Sequence, residues 1–352
     1  VSPVQAGRLT SAERARLAGI AGVIVALHVV AWSMYLYYTR HLASAASFAG
    51  AGTLAYALGL RHAFDADHIA AIDDTTRLML QRGRRPMGVG FFFSLGHSSV
   101  VLGLCLAIAA VGSVTTAGVR VFRVYGGIAS AAAGMTFLLA VSAVNAMVLA
   151  GLLRAWRQMT RGQLSDAELE ALLVNRGLLN RLLGGRARGL IRSSWHMFPV
   201  GVLFGLGLET ASEVALLSLT AGGATGGLPL PAILTLPLLF AAGMTALDSC
   251  DGLLMARAYS WAFGSPGRRL YYNAAATGMT VLVALFVATV YLAGLVAPLR
   301  GRGGPAGAYA SIGNHFELLG YVIVGMFVVA WAAAALSWRL GGFERRYGKE
   351  HP

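Results

Sequence analysis

The chain is 352 residues long, with 57% of them in the set AVILMFWYC and only 12% charged, where soluble domains carry about 25% charged residues. Together with a mean hydropathy of +0.65, this excludes an ordinary soluble enzyme. The formal net charge of +13 does not mark a nucleic-acid binder, because the arginines sit in short clusters between apolar runs and form no continuous basic face.

A hydrocarbon core of roughly 30 Å takes about 20 apolar helical residues per crossing. Eight stretches qualify, near 17–38, 48–76, 87–111, 121–150, 195–219, 230–256, 271–297 and 313–338. The expected fold is an all-α integral membrane protein of eight transmembrane helices, a single transmembrane domain over 1–352. Arg8, Arg14 and Arg16 precede the first stretch as in a secretory signal, but no clean small-residue cleavage site follows and seven more spans do, so it reads as a true span. The connection 154–192 holds Ser165-Asp166-Ala167-Glu168, a capping-box pattern, followed by leucines at helical spacing. It suits a short amphipathic helix packed on the bundle or the membrane surface. Glycine and proline mark loops at 220–231 and 298–307. Placing the termini and alternate loops on one side gives that side 22 basic residues and the other 5, so both termini are expected in the cytoplasm and the protein in the cell membrane. Cys105 and Cys250 lie inside apolar runs, which leaves neither a disulfide framework nor a CxxC knuckle.

Nine acidic residues fall within these spans: Asp65, Asp67, Asp73, Asp74, Glu209, Glu213, Asp248, Asp251 and Glu317. An ionised group at the centre of a span costs at least ~2.5–3.5 kcal/mol on insertion scales, so such groups line a polar path or bind something. His28, His62, His68 and His97 join them at membrane depth and add nitrogen donors to oxygen donors.

The densest patch is Arg61-His62-Ala63-Phe64-Asp65-Ala66-Asp67-His68-Ile69. On a straight helix His62, Asp65 and His68 share a face, Asp67 points away, and His62 to His68 spans about 9 Å. Metal ligands lie only ~2.0–2.2 Å from the ion. One ion therefore collects His62, Asp67 and His68 only if the helix is broken within 59–68, as binding-site helices of transporters often are. Three further polar patches are Ser94 to Ser99 around His97, Glu209 to Glu213, and Thr245 to Asp251 around Asp248. Counted inward from the cytoplasmic ends, His68, His97, Glu209 and Asp248 all come out roughly 14–20 Å deep. Imidazole with carboxylate or hydroxyl oxygen suits borderline divalent ions, and Ni²⁺, Co²⁺, Zn²⁺, Mn²⁺ and Fe²⁺ stay open on this chemistry.

These patches resemble the signatures of the nickel/cobalt transporter family of single-subunit, eight-span permeases. The resemblance rests on RHAFDADHI with its His62, Asp67 and His68, LGHSSVV at 95–101, LGLETASE at 206–213 and GMTALDSCDG at 243–252. Glu209 stands where the family usually has Asp, and Ser212 and Ser249 where it has Thr; each keeps the polar group. The resemblance implies uptake of Ni²⁺ and Co²⁺ as substrates, with no cofactor, through a site drawn from His62, Asp65, Asp67, His68, His97, Glu209, Asp248, Asp251 and His28. Phe64 together with His28 goes with family members that handle cobalt as well as nickel. The related exporters carry a histidine-rich cytoplasmic loop, and 154–192 has no histidine, which favours uptake.

Each residue also has a plainer reading. Asp67 as a group orienting an imidazole fits the helical geometry. For Glu209, Asp248 and Asp251, ligand, proton carrier and partner of Arg61 all stand. His28 is a gate, a ligand or a packing residue, and Cys250 a small packed one. A first-span helix lying over 62–68 would let Phe64 shape the pocket and His28 add a nitrogen. An intramembrane metal enzyme is the rival class, but the chain has no His-Glu-x-x-His helix and no set of histidine boxes. A proton-coupled carrier of an organic solute would also bury carboxylates, yet it explains the four histidines less well. GLRHAFD at 59–65 and GLETASE at 207–213 further suggest a degenerate inverted repeat, with Gly96 and Gly243 at matching distances beyond them.

Overall fold

The computed structural model describes residues 9–41, 48, 50–81, 84–111, 116–163, 191–207, 211–261, 266–299 and 305–340, and the regular structure among them is entirely helical. Glu209, residues 164–190 with their capping-box pattern, and His351 lie outside the described residues. Eleven α-helices follow in order: α1 Ser11–His41, α2 Ala51–His62, α3 Ala66–Gln81, α4 Val89–Val111, α5 Thr116–Thr160, α6 Met197–Gly205, α7 Ala211–Thr225, α8 Leu230–Trp261, α9 Pro266–Val296, α10 Pro305–Ala310 and α11 Phe316–Leu340. Five helices, α1, α4, α5, α8 and α9, are long and apolar enough to cross a bilayer, and the bent pair Gly307–His315 with Leu318–Ala330 makes a sixth if counted as one span. The chain is thus an all-α, multi-pass membrane protein.

The remaining two expected spans are each interrupted. The stretch 48–76 breaks between α2 and α3. There the Phe64 N–H donates to the Arg61 carbonyl and the Asp65 N–H to the His62 carbonyl, at 3.1 and 2.9 Å. Those are the tighter three-residue closures of a 3₁₀ turn, and regular helix resumes at Ala66. The stretch 195–219 breaks after α6, where the Gly207 N–H reaches only back to the Phe204 carbonyl. Helix starts again at Ala211.

α1 lies at the edge of the bundle. Val23, Val25, Val29, Val30 and Leu36 are exposed, and only Ala31 and Tyr35 are buried, as expected of a helix whose outer face meets lipid. Two large apolar cores fill most of the rest, beside a third, smaller cluster around Leu152, Met159 and Leu270. Of the two large ones, one centres on Ile69, Ile72, Phe93, Leu138, Phe204 and Tyr291, the other on Tyr35, Val101, Leu216, Leu236 and Phe240.

Backbones meet directly at several joints, and at two of them each helix offers a glycine to a carbonyl of the other. A Cβ added at Gly59 would collide with the Phe240 carbonyl, and one at Gly243 with that of Tyr56, which locks α2 against α8. In the same way Gly96 faces the Phe198 carbonyl and Gly201 that of Phe93, locking α4 against α6. Small residues are what allow helices in a membrane to approach this closely. The four glycines each follow an aromatic residue three positions earlier, in Tyr56-x-x-Gly59, Phe93-x-x-Gly96, Phe198-x-x-Gly201 and Phe240-x-x-Gly243. The packing at both joints is reciprocal, each helix offering one glycine to the other.

Candidate metal site

The break between α2 and α3 turns His62 and His68 toward each other. Their ring centroids lie 4.6 Å apart, and the His97 ring, from α4, lies 4.9 Å from each. His62 also packs on Phe240 at 5.5 Å and His68 on Phe93 at 4.8 Å, so the cluster sits between the two apolar cores. All three histidines are at most 2% exposed. One ligand atom from each falls within 4.8 Å of the other two.

Every imidazole has a carboxylate beside it. Asp65 Oδ2 lies 2.6 Å from His62 Nδ1, Asp248 Oδ2 lies 3.3 Å from His68 Nδ1, and Glu213 Oε1 lies 3.0 Å from His97 Nε2. Asp65, Asp248 and Glu213 are themselves buried. A carboxylate at Nδ1 holds the ring proton there and leaves Nε2 with its lone pair, the arrangement found behind metal-bound histidines. His68 Nε2 has no hydrogen-bond partner. His62 Nε2 lies 3.1 Å from His97 Nε2. Two donors at ~2.0–2.1 Å from one ion are ~2.9–3.4 Å apart; the two nitrogens stand at that spacing, as do His97 Nε2 and Glu213 Oε1, while Glu213 Oε1 lies 3.9 Å from His62 Nε2.

The other expected site residues are placed as follows. Asp67 is outside the three-histidine group: its Oδ1 accepts the His68 backbone N–H at 3.0 Å and its Oδ2 accepts the Tyr291 hydroxyl at 2.5 Å. Asp251 is also outside the group and faces the negative charges of Asp73 and Asp248. His28 is outside the group as well. Its Nδ1 bonds to the Ile24 carbonyl at 2.8 Å and its Nε2 to the Tyr56 hydroxyl at 3.2 Å. Phe64 does not lie under the first helix as expected; its ring packs on Tyr321 of α11 at 4.9 Å, and its carbonyl abuts Gly320. Arg61 is exposed, and Cys250, expected to be packed, is exposed as well.

Deeper along α3, Asp73 accepts the Thr280 hydroxyl at 2.9 Å, Asp74 accepts the Asn145 side-chain amide at 2.8 Å, and Arg77 Nε donates to the Thr277 hydroxyl at 2.8 Å. These contacts tie α3 to α5 and α9 below the histidines. Sequence reasoning passed over two groups. Glu213 stood in the fifth-span patch, but nothing in its spacing singled it out over Glu209. Tyr291 is one of four aromatic residues of α9 and gave no signal.

An all-helical, multi-pass membrane chain with imidazoles and carboxylates gathered at a helix break is compatible with a transporter, and the family and relatives it matches are transporters, not enzymes. Within that class the chain belongs to the NicO family, described as high-affinity nickel-transport protein, whose model matches residues 48–337. It is 52% identical over 334 residues to the cobalt transport protein NhlF of Rhodococcus rhodochrous, covering 94% of both chains. It is 47% identical over 348 residues to the nickel transporter NicT of Mycobacterium tuberculosis, covering 96% of this chain and 93% of that one. The nickel transporter NixA of Staphylococcus aureus is 39% identical over 331 residues, covering 93% of this chain and 95% of the relative. No solved structure matches the chain.

Proposed function

We propose that this chain takes up Ni²⁺ and Co²⁺ across the cell membrane by alternating access around the histidine cluster. Counting α2 with α3 and α6 with α7 as broken spans, beside α1, α4, α5, α8, α9 and α11, gives eight crossings in one transporter domain with both termini in the cytoplasm. The observation that carries the reading is the trio of His62, His68 and His97, with ligand atoms within 4.8 Å of one another and a carboxylate beside each ring. Three nitrogens with the Glu213 oxygen suit a borderline divalent ion, whereas Mg²⁺ and Ca²⁺ call for oxygen donors alone. Asp65 and Asp248 orient the rings of His62 and His68. Relatives named for cobalt and for nickel support both substrates.

Inward movement needs no further energy source. A free divalent cation gains about 4.6 kcal/mol per 100 mV of inside-negative potential, twice the single-charge value, enough to concentrate it more than about a thousandfold. The lack of histidine in 154–192 supports uptake over export. In proteoliposomes with an imposed potential, radiolabelled Ni²⁺ and Co²⁺ are expected to enter saturably. His62→Ala and His68→Ala are each expected to abolish uptake, with monodispersity checked because Asp65 or Asp248 then loses its ring partner. Near wild-type transport in either folded variant would overturn the site.

A further inference from the structure

Asp67 lies beside the cluster without joining it, and what holds it comes from a distant part of the chain. Its Oδ2 accepts the phenolic hydroxyl of Tyr291, 224 positions away in sequence on α9, at 2.5 Å. Its Oδ1 accepts the backbone N–H of His68, in the first turn of α3. A carboxylate at that end of a helix satisfies a donor that has no partner within the helix and also meets the positive end of the helix dipole. Both oxygens of Asp67 are thus engaged in fixing the place where α3 restarts after the break, and His68 is the residue held there.

Tyr291 is itself confined. It is 7% exposed, its ring packs edge-on against Phe316 at 5.3 Å, and Gly134 leaves room for the ring edge, since a Cβ there would come within 3.2 Å of it. A hydrogen bond to a buried carboxylate is among the strong ones, and the packed ring allows the hydroxyl no second position. From this we infer that Tyr291 is a positioning residue of the transport site: through Asp67 it sets the start of α3 and so the place of the His68 ring, and Asp67 itself is not a ligand of the ion. The inference rests on the histidine cluster being the substrate site. It also makes α9, a helix outside the family's four signature patches, part of that site's support.

The test is Co²⁺ binding to purified full-length protein, read both as affinity and as the visible ligand-field spectrum at saturation. Tyr291→Phe keeps the ring and its packing and removes only the hydroxyl. It is expected to weaken Co²⁺ binding about 10- to 100-fold, the usual cost of losing an outer support of a ligand, and to leave the saturated spectrum unchanged. Asp67→Asn is expected to do the same. The double variant is expected to bind no more weakly than the worse single one, because the two residues act as one unit. Tyr321→Phe, which leaves the hydroxyl–carboxylate pair intact, is expected to bind as wild type. Wild-type affinity in Tyr291→Phe, additive losses in the double variant, or an altered spectrum in Asp67→Asn would each overturn the inference. Failure of the site itself reads differently: Co²⁺ binding would then survive His62→Ala and His97→Ala.

Discussion

At the scale of single residues, the site is a set of carboxylate–imidazole pairs, and the pairs have unequal duties. Asp65 sits within the break and faces His62 Nδ1 at 2.6 Å, so it fixes both the tautomer and the angle of the ring whose Nε2 approaches His97. Asp65→Asn keeps the volume and loses the charge, and an amide can present its NH₂ to Nδ1 and reverse the tautomer. The expected result is a rise of about 10- to 100-fold in the KM for Ni²⁺ uptake, with the protein still folded; an unchanged KM would mean that the ring is held by packing on Phe240 alone. His28 and Phe64 act differently. His28 spends both ring nitrogens on Ile24 and Tyr56, and Phe64 lies against Tyr321, so their influence on the cluster runs through α2 and the break. Divalent-ion affinity otherwise follows a fixed order with nickel above cobalt, so geometry has to make the distinction. His28→Asn combined with Phe64→Val is therefore expected to reduce cobalt uptake more than nickel uptake in competition assays with labelled ions. Equal loss of both metals would assign the pair a general supporting role.

At the scale of helices, the break and the glycine joints place those residues. The break was expected because one straight helix cannot offer His62, Asp67 and His68 to a single ion, and it falls at 63–65, inside the expected 59–68, although Asp67 stands outside the three-histidine group. The histidines were legible because a polar group at membrane depth needs a reason. The interruption after α6 was not legible, since Gly205 and Gly207 are common in membrane helices and no ligand distance constrained them. For the same reason Glu213 could not be chosen over Glu209: once the helix is interrupted between Gly205 and Ala211, periodicity no longer says which side chain turns inward. The glycine joints rest on backbone contacts that no sequence pattern displays. Those contacts predict a clear division among glycines. Gly59→Val and Gly201→Val place side-chain atoms on the carbonyls of Phe240 and Phe93, an overpacking that costs roughly 1–3 kcal/mol or more. Gly103→Ala on α4 meets nothing within 4 Å. Thermal unfolding in detergent is expected to show a lowered Tm or loss of monodisperse protein for the first two and no loss for the third.

At the scale of the whole molecule, the donors of the proposed site come from four separate helices: His62 from α2, His68 from α3, His97 from α4 and Glu213 from α7. An ion held among them joins both apolar cores, since His62 rests on Phe240 and His68 on Phe93. Unfolding must separate all four helices, so the bound ion opposes it by mass action, by about 2.7 kcal/mol at a hundred times the dissociation constant. A transporter also has to release its cargo, and a ligand moves a conformational balance only by its difference in affinity between states. The stabilisation is expected to grow with the logarithm of ion concentration above the dissociation constant and to disappear on addition of a chelator. Ni²⁺ and Co²⁺ are expected to raise the Tm of the purified protein, and Mg²⁺ at the same concentration to leave it unchanged, because a hard ion gains little from imidazole nitrogen. His97→Ala removes one donor and the partner of Glu213, and is expected to abolish the Ni²⁺-dependent rise, while Gly103→Ala, on the same helix and away from the cluster, keeps it. A rise that persists without His97 would put the stabilising ion somewhere other than between these four helices.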